Sequence, residues 1–499
     1  MGEHGDLKLL TARSLKWNLI DRLSTQLLYG VTGIVLARLL SQDDFGLVGA
    51  VLVFQAFASL FVDGGFSVAL IQRKSPTRLD YSTILWFNMG MALCAYILLW
   101  FAAPLIADWF QGDKRLVPLS RVMFLSVIIS ATSMVQIYRL VKQMDVKKVA
   151  VANSAGLLAG AVVGIWLALS GYGAWAIVWQ TLAVAAVKSL LAWITSGWFP
   201  LLRFSWTALR SFFSVGAGVT VTSFLNTLFQ NIYSFFIGNR VGLGALGYYT
   251  QADKWSKMGV TSLTQTLTSS FLPVLSAVQD DVERFSRVAA KTNRFTGYVT
   301  LPAMGFLIVM ATPIFHLLFG VKWDASIILF RLLLFRGIFT VLTSLYNNYI
   351  LALGKAKLIV YMEMLRDGVA FAALVVTLPF IGLSRGDDVV YGIEILLWGQ
   401  VAASAITWIV TLMVAAPMSG RPFRQYLTDY LPYVVETVAV MAVLSAISIV
   451  IVEPLLLLVA QGGCAVALYV GINYLVGSAI QRDALAYVCR RFKNGKSHA

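Results

Sequence analysis

The stretch VVETVAVMAVLSAISIVIVEPLLLLVAQGGCAVALYVGINYLV, residues 434–476, decides the fold. It holds two apolar runs, 434–452 and 455–476, with only Glu453 and Pro454 between them. A transmembrane helix needs about 20 apolar residues, so each run is long enough to span a bilayer once. Because a single turn joins the runs, their helices must be antiparallel. The stretch therefore predicts a helical hairpin within a membrane.

Composition extends this prediction to the whole chain of 499 residues. Hydrophobic residues make up 59% of the sequence and charged residues 13%, whereas about 25% of the residues of a soluble protein are charged. We therefore expect an all-α, polytopic membrane protein with about 14 transmembrane helices. Their predicted positions are near residues 15–40, 45–71, 81–106, 117–138, 149–171, 173–195, 209–237, 246–275, 296–319, 327–353, 357–381, 389–415, 428–452 and 455–478.

The distribution of Lys and Arg predicts the orientation of the chain. Basic residues are concentrated in the loops on one side, for example at Arg73, Lys147 and Arg287, and in the tail 482–499. Short loops rich in Lys and Arg stay in the cytoplasm, so both termini are expected there. The formal net charge of +15 comes from these dispersed residues, which contact anionic lipid head groups. It therefore calls for no nucleic acid partner.

Two halves of the sequence resemble each other. The segments Arg38-Leu39-Leu40-Ser41 and Phe45-Gly46-Leu47 follow the first predicted helix, and Arg240-Val241-Gly242-Leu243 and Leu246-Gly247-Tyr248 follow the seventh. The fourth and tenth helices share the patterns SMVQIY, 133–138, and SLYNNY, 344–349. Because six is an even number, both six-helix halves enter from the same side, which predicts a parallel repeat about an axis along the membrane normal. The interface between the halves is then the expected substrate path.

This repeat defines the expected domains. The first lobe covers residues 1–200 with helices one to six, and the second covers 201–420 with helices seven to twelve. Helices thirteen and fourteen occupy 421–481, and a basic cytoplasmic tail covers 482–499.

Catalytic and cofactor motifs are weak. The segment Gly242-Leu-Gly-Ala-Leu-Gly247 matches the dinucleotide pattern G-x-G-x-x-G, but it lies between two apolar helices instead of after a strand, so it predicts a turn. The three histidines are His4, His316 and His498, too few and too scattered for a metal or acid–base site. We expect neither an enzyme nor a bound cofactor or metal.

Twelve of the ionisable residues within the predicted spans are candidates for a functional role. Each costs a few kcal/mol on insertion scales and normally faces a cavity or a partner. Glu363 and Arg366 can bridge at i, i+3, but Lys254 and Lys257 place two like charges on one helix face, which an anion or a distant acid would have to compensate. Snorkelling or structural pairing stays an alternative for these lysines. The twelve are Asp21, Arg22, Asp253, Lys254, Lys257, Arg331, Arg336, Glu363, Arg366, Asp367, Glu394 and Glu436.

Four segments resemble a known family. The runs LARLLSQDDFGL, 36–47, and FVDGGFSVALIQR, 61–73, resemble the opening of bacterial polysaccharide flippases of the Wzx and colanic-acid-exporter type. The segments GYYTQA, 247–252, and PVLSAVQ, 273–279, resemble the second half of that family. The resemblance implies the fold of the multidrug/oligosaccharidyl-lipid/polysaccharide (MOP) exporter superfamily. This fold has two six-helix lobes around a central cavity and two additional C-terminal helices.

The resemblance also implies a function. It implies transfer of undecaprenyl-pyrophosphate-linked oligosaccharide repeat units from the inner to the outer leaflet of the bacterial plasma membrane, for exopolysaccharide, O-antigen or capsule biosynthesis. The expected partners are this lipid-linked substrate, a counter-ion (H⁺ or Na⁺), membrane lipids and polysaccharide polymerase machinery.

The expected site residues fall into two groups. Arg22, Lys254 and Lys257 lie on helices that match the family, and they are expected to bind the pyrophosphate. Arg336 and Arg366 join them only through burial and charge. The group expected to couple transport to H⁺ or Na⁺ contains Asp21, Glu363, Asp367 and Glu394. Salt bridges within helices are the structural alternative for these acids.

Three other function classes remain as alternatives. A multidrug exporter of the same superfamily would transport cations, which the basic residues Arg22, Lys254 and Lys257 disfavour. A non-transporting subunit of a polysaccharide assembly complex would have a cavity that stays closed. A membrane enzyme is disfavoured because a catalytic constellation is not apparent in the sequence.

Overall fold

The architecture is all-α, as predicted. The structure is a computed structural model that describes residues 3–385, 389–478 and 480–482. In chain order the α-helices are α1 (Glu3–Leu39), α2 (Gln42–Asp63), α3 (Phe66–Gln72), α4 (Arg78–Trp109), α5 (Leu116–Met123), α6 (Leu125–Lys142), α7 (Val146–Leu169), α8 (Trp175–Ser196), α9 (Trp206–Arg240), α10 (Leu243–Ser276), α11 (Val282–Val309), α12 (Ala311–Leu318), α13 (Asp324–Ala352), α14 (Ala356–Thr377), α15 (Tyr391–Met418), α16 (Phe423–Val450) and α17 (Pro454–Leu475).

Most of these helices are long and apolar enough to cross a membrane. Within the described residues nine segments satisfy this condition, and eleven do so if two bent pairs each count as one span. One pair is α11 with α12, bent by 61°, and the other is α9, bent by 59° between Trp206–Phe213 and Gly218–Arg240. The long helices α1, α10 and α14 contain eight of the twelve candidate ionisable residues. The chain is a multi-pass membrane protein, and the number of fourteen spans stays a prediction.

The chain divides into two compact units, Met1–Thr250 and Gln251–Ala499, with the boundary inside α10. The domain boundaries expected from the sequence repeat also stay a prediction.

In the first unit, a stripe of glycines lets α7 and α8 pack closely. A Cβ atom on Gly160 would lie 2.9 Å from the backbone oxygen of Gln180 and 2.4 Å from a methyl carbon of Val184. Gly156 and Gly164 meet α8 at similarly short distances, one turn to either side. Small residues at four-residue spacing favour this type of helix contact in membranes. The stripe is therefore structural.

The first unit also contains a reciprocal contact between the start of α2 and the start of α10. A Cβ atom on Gly46 would lie 1.8 Å from the backbone oxygen of Leu243, and one on Gly247 would lie 2.0 Å from the backbone oxygen of Gln42. Gly46 and Gly247 are equivalent positions in the two half-sequences, and each contacts the residue that lies four positions before the other. The G-x-G-x-x-G segment is thus part of a turn and a helix crossing, and α9 precedes it instead of a strand.

The segment FVDGGF, 61–66, breaks the second predicted span into α2 and α3. Gly64 and Gly65 have φ values of +54° and +69°, a left-handed conformation that favours glycine. Beside the break, the Asp63 carboxylate accepts hydrogen bonds from Tyr138 Oη (2.6 Å) and Ser67 Oγ (2.9 Å). The conformation of the break is therefore held by the fourth predicted span, which carries Tyr138.

In the second unit, a buried polar network joins α11, α13 and α16. Tyr346 donates to Asn293 Oδ1 (2.9 Å), and Tyr430 Oη contacts both Tyr346 Oη (2.9 Å) and Asn293. Tyr349 donates to the backbone oxygen of Ala289 (2.8 Å). Buried hydroxyl groups need such partners. The tyrosines of the SLYNNY segment therefore join three helices of this unit.

Candidate functional site

Lys254 and Lys257 lie on one turn of α10, together with an acid. Lys257 Nζ lies 2.6 Å from Asp253 Oδ2, an ion pair at i, i+4. The side chain of Asp253 is only 14% exposed, whereas that of Lys257 is 43% exposed. From the sequence, the charge of both lysines is expected to be compensated by an anion or a distant acid. Lys257 instead has an acid partner on its own helix. Pairing within the helix lowers the cost of the charge in the membrane.

The neighbouring Lys254 lies beside an aromatic side chain. Its Nζ atom is 5.3 Å from the ring centre of Trp255, within the range of a cation–π contact. Trp255 in turn packs on Phe319 with ring centres 5.1 Å apart, and its indole nitrogen donates to Gln251 Oε1 (3.2 Å). These contacts fix the turn of α10 that carries both lysines. The turn presents two cations and one carboxylate, so its net charge is positive.

Arg336 on α13 and Gln400 on α15 form a polar contact between two helices. The guanidinium group donates to Gln400 Oε1. The amide nitrogen of Gln400 is buried and has no hydrogen-bond partner among the described residues. A guanidinium group has five N–H donors, so this contact satisfies only part of the hydrogen-bonding capacity of Arg336.

The remaining predicted cation, Arg366, lies between two acids on α14. Its guanidinium group is 2.5 Å from Glu363 Oε2 and 2.9 Å from Asp367 Oδ1. The bridge between Glu363 and Arg366 that their i, i+3 spacing predicts is confirmed. Because two carboxylates surround one guanidinium group, this cluster has a formal charge of −1. It is therefore a poorer anion site than the turn that carries Lys254.

Glu363 and Arg366 of this cluster line a cavity between α13, α14 and α15. The cavity has a volume of about 210 Å³. Its polar lining consists of Thr340, Thr343, Ser344, Asn347, Glu363, Arg366, Ser404, Thr407 and Thr411.

Most of these lining groups act as hydrogen-bond acceptors toward the cavity. Thr343, Thr407 and Thr411 donate their hydroxyl protons to backbone oxygens four residues earlier, at 2.7–2.8 Å. Their oxygen lone pairs stay available. Asn347 Oδ1 is buried and has no hydrogen-bond partner in the part of the chain that the structure describes. A cavity rich in acceptors beside a net negative cluster suits a small cation or a proton.

The other predicted acids lie elsewhere. Asp21 on α1 accepts from Asn153 Nδ2 of α7 at 3.2 and 3.3 Å, and Lys188 of α8 lies near enough to attract it electrostatically. The adjacent Arg22 is partly buried. Glu394 lies in the first turn of α15. Asp21 and Arg22 belong to the first unit, and the other seven predicted site residues belong to the second.

Two charged groups have structural roles that the sequence argument did not assign. Arg331 donates to the backbone oxygen of Ile308 (3.1 Å) and to Thr312 Oγ1 (3.0 Å), and so bridges the break between α11 and α12. Asp429 on α16 accepts from Arg294 at 2.7 Å and from Arg421 at 2.8 Å. When the two partners of a contact lie on different helices, no regular spacing in the sequence indicates that they pair. No group of three or more potential metal ligands occurs within the described residues.

Comparison with known proteins decides the family. The profile of the family described as "Polysaccharide biosynthesis protein" matches residues 35–328, more than half of the chain. The chain belongs to this family. The chain is 24% identical over 438 residues to the lipopolysaccharide biosynthesis protein WzxC of Escherichia coli (strain K12), covering 86% of this chain and 85% of the relative. It is 25% identical over 356 residues to the succinoglycan biosynthesis transport protein ExoT of Rhizobium meliloti (strain 1021), covering 71% and 72%.

Solved structures of other proteins show the same fold as this chain. The lipid II flippase MurJ in an inward closed conformation is similar with a TM-score of 0.73 at 15% identity, over 94% of this chain and 100% of that one. An inward-facing multidrug resistance MATE family transporter of the MOP superfamily gives 0.60 at 16% identity, over 79% and 96%. The similarity to WzxC confirms the resemblance to Wzx-type proteins, and these two solved structures show the fold.

Proposed function

We propose that this protein is a flippase that moves a polyprenyl-pyrophosphate-linked oligosaccharide from the inner to the outer leaflet of the bacterial plasma membrane. The observation that carries the proposal is the positive turn of α10 in a chain of the polysaccharide biosynthesis family. A pyrophosphate cannot cross hydrocarbon without cations that replace its hydration. Lys254 and Lys257 supply such cations, and Arg22 and Arg336 are further candidates. The substrate is moved without covalent change, so the protein is a transporter and not an enzyme.

Membership of this family also favours a flippase over the alternatives. The names of the relatives WzxC and ExoT refer to lipopolysaccharide and succinoglycan biosynthesis, and the name of the structural neighbour MurJ refers to flipping of lipid II. The names of both relatives concern saccharide biosynthesis, and the name of ExoT also states transport. The Lys/Arg distribution supports cytoplasmic termini in this proposal.

The test replaces Lys254 and Lys257 together by Gln, which keeps much of their length and polarity. We expect normal membrane expression and a loss of polysaccharide export of about tenfold or more, because charge-assisted hydrogen bonds each contribute about 1.5–3 kcal/mol. The matched control replaces the exposed lysines Lys355 and Lys357 by Gln, and export should then be unchanged. Full export by a normally expressed Lys254→Gln/Lys257→Gln variant would refute the proposed role of the lysines.

We further propose that transport is coupled to entry of H⁺ or Na⁺ through the acceptor-rich cavity beside Glu363 and Asp367. The net negative cluster and the hydroxyl oxygens of Thr343, Thr407 and Thr411 support a cation in this cavity. Buried carboxylates in spanning helices are the groups that load and release protons in transporters. Asp21 and Glu394 are weaker candidates, since neither of them lines this cavity, whereas Glu363 lines it and Asp367 pairs with Arg366, which also lines it.

Proteoliposomes test the coupling. Flipping of the lipid-linked oligosaccharide by the wild type should accelerate several-fold when an inward H⁺ or Na⁺ gradient is imposed. The Asp367→Asn and Glu363→Gln variants should lose this acceleration, whereas Glu453→Gln, an exposed carboxylate at the start of α17, should keep it. If the wild type flips substrate at the same rate with and without either gradient, coupling through these acids is wrong.

A further inference from the structure

The middle of α10 has an exposed surface that is entirely polar. Every exposed side chain between residues 258 and 272 carries a hydroxyl or an amide group, and these side chains are Thr261, Gln265, Thr266, Ser269 and Ser270. The apolar side chains of the same stretch are buried or half-buried. The sequence from residue 258 to residue 279 contains no Lys, Arg, Asp or Glu. This surface, the polar face of α10, is therefore uncharged.

The polar face is the reverse of a surface that contacts lipid. On α4 the exposed side chains include Leu98, Phe101 and Leu105, which are 67%, 77% and 49% exposed. Hydrocarbon offers no hydrogen-bond partner to a hydroxyl or an amide, so polar side chains of spanning helices face the interior of a bundle or a water-filled cavity. The five residues of the polar face are exposed and are not packed inside the bundle. They therefore border water and not acyl chains.

The polar face continues the side of α10 that carries the two lysines. Successive residues of an α-helix are rotated by about 100°, so Thr261 and Gln265 lie within about 20° of Lys254 around the helix axis. Thr261 follows Lys257 by four residues, about 6 Å along the axis, and Ser269 follows it by twelve residues, about 18 Å. One side of α10 thus carries positive charge at its start and neutral polar groups after it.

The polar face can both accept and donate hydrogen bonds. The hydroxyl groups of Thr266 and Ser270 donate to the backbone oxygens of Ser262 and Thr266, both at 2.8 Å, and Ser269 donates to the backbone oxygen of Thr266 (3.1 Å). Their lone pairs can still accept hydrogen bonds. Gln265 adds an exposed amide group with two N–H donors and a carbonyl acceptor. A ligand rich in hydroxyl groups has both the donors and the acceptors that this surface needs.

We propose that the polar face of α10 binds the saccharide part of the substrate while Lys254 and Lys257 hold its pyrophosphate. This inference rests on the proposed function and assigns a position to the sugars within it. In a glycosyl pyrophosphate the first sugar is bonded directly to a phosphate, so it lies beside Thr261, about one helical turn after Lys257. Later sugars lie along Gln265 and Ser269. Sugar hydroxyl groups donate to the hydroxyl oxygens of α10, and sugar oxygens accept from the amide of Gln265.

A series of ligands that differ only in their sugars tests the wild-type protein. The probes are undecaprenyl pyrophosphate, undecaprenyl-pyrophosphoryl glucose and undecaprenyl-pyrophosphoryl maltotriose, and native mass spectrometry measures their binding to the full-length protein in detergent. We expect the affinity to increase along this series by about tenfold in total, because each added hydrogen bond makes a modest favourable contribution. Equal affinity for the three probes would overturn the inference and leave the role of the lysines unaffected. If none of the probes binds, the proposed function is wrong and the inference fails with it.

A variant of the polar face separates sugar binding from pyrophosphate binding. Thr261→Val/Gln265→Leu/Ser269→Ala removes three of the five polar groups and leaves both lysines in place. This variant should bind all three probes about as tightly as the wild type binds undecaprenyl pyrophosphate. A wild-type increase in affinity along the series would place the sugars elsewhere and overturn the assignment. If the variant does not fold, the series of probes on the wild type still decides.

Two further variants serve as controls. Gln425→Leu/Thr428→Val/Ser448→Ala removes the same three kinds of group from exposed positions of α16, and it should keep the wild-type increase along the series. Lys254→Gln/Lys257→Gln should weaken the binding of all three probes by a similar factor, because each probe carries the same pyrophosphate. Loss of the increase in the α16 variant would show that it does not depend on the polar face, and this would contradict the inference.

Discussion

Because Lys257 and Asp253 form an ion pair, the effects on stability of replacing these two charges on α10 depend on each other. Asp253 is 14% exposed, so removing Lys257 leaves a largely buried carboxylate without its partner. We expect Lys257→Gln and Asp253→Asn each to lower the thermal stability of the protein in detergent. The double variant should be destabilised by less than the sum, with a coupling energy of up to about 1 kcal/mol because Lys257 is partly solvated. Additive effects in the double-mutant cycle would contradict the pair.

Side-chain contacts could be predicted at the residue scale only where one helix supplies both partners. The spacing of Glu363 and Arg366 predicts their bridge, and the same rule applied to Asp253 and Lys257 would have predicted theirs. The i, i+3 spacing of Lys254 and Lys257 indicates only repulsion, because it does not take Asp253, one turn before Lys257, into account. The contact of Arg336 with Gln400 joins residues 64 positions apart, and no local pattern encodes it.

At the scale of elements, the glycine stripe of α7 gives a direct test of helix packing. In Gly160→Ala the new methyl group would lie 2.4 Å from Val184 and 2.9 Å from the backbone of Gln180. We expect a loss of about 1–3 kcal/mol, because overpacking forces shifts of side chains and backbone. Gly90→Ala on α4 is the matched control, since outside its own stretch of helix no atom of the described residues lies within 4 Å of its new Cβ. Thermal unfolding in detergent measures both, and equal midpoints would contradict the close packing.

The breaks in helices were harder to predict than the helices. Hydropathy places a single span over residues 296–319, but the structure bends by 61° between α11 and α12. The bend is stabilised by Arg331, which lies on α13 and donates across it. The break at Gly64 and Gly65 has a local sequence signal, the paired glycines. Hydropathy nevertheless predicts one continuous span across them. Apolar composition shows where a chain can cross a membrane, but it does not show where the axis of a helix bends.

At the scale of the whole molecule, the orientation in the membrane is the open prediction. Lys114 and Lys147 are both exposed and lie on opposite predicted sides. In a variant with Cys94, Cys464 and Cys489 replaced by Ala, Lys114→Cys should react with a membrane-impermeant maleimide added outside intact cells. Lys147→Cys should react only after the cells are opened. Strong labelling of Lys147→Cys from outside would reverse the topology derived from the Lys/Arg distribution.

The reciprocal contact of Gly46 with Leu243 and of Gly247 with Gln42 has a consequence for the kinetics of any opening at that end of the first unit. Each glycine meets the backbone of the opposite helix without a side chain between them, so neither contact can stretch gradually. Because the same two helix ends form both contacts, separating one pair also separates the other. We therefore expect the ends of α2 and α10 to part in one all-or-none step, with no half-open state in between.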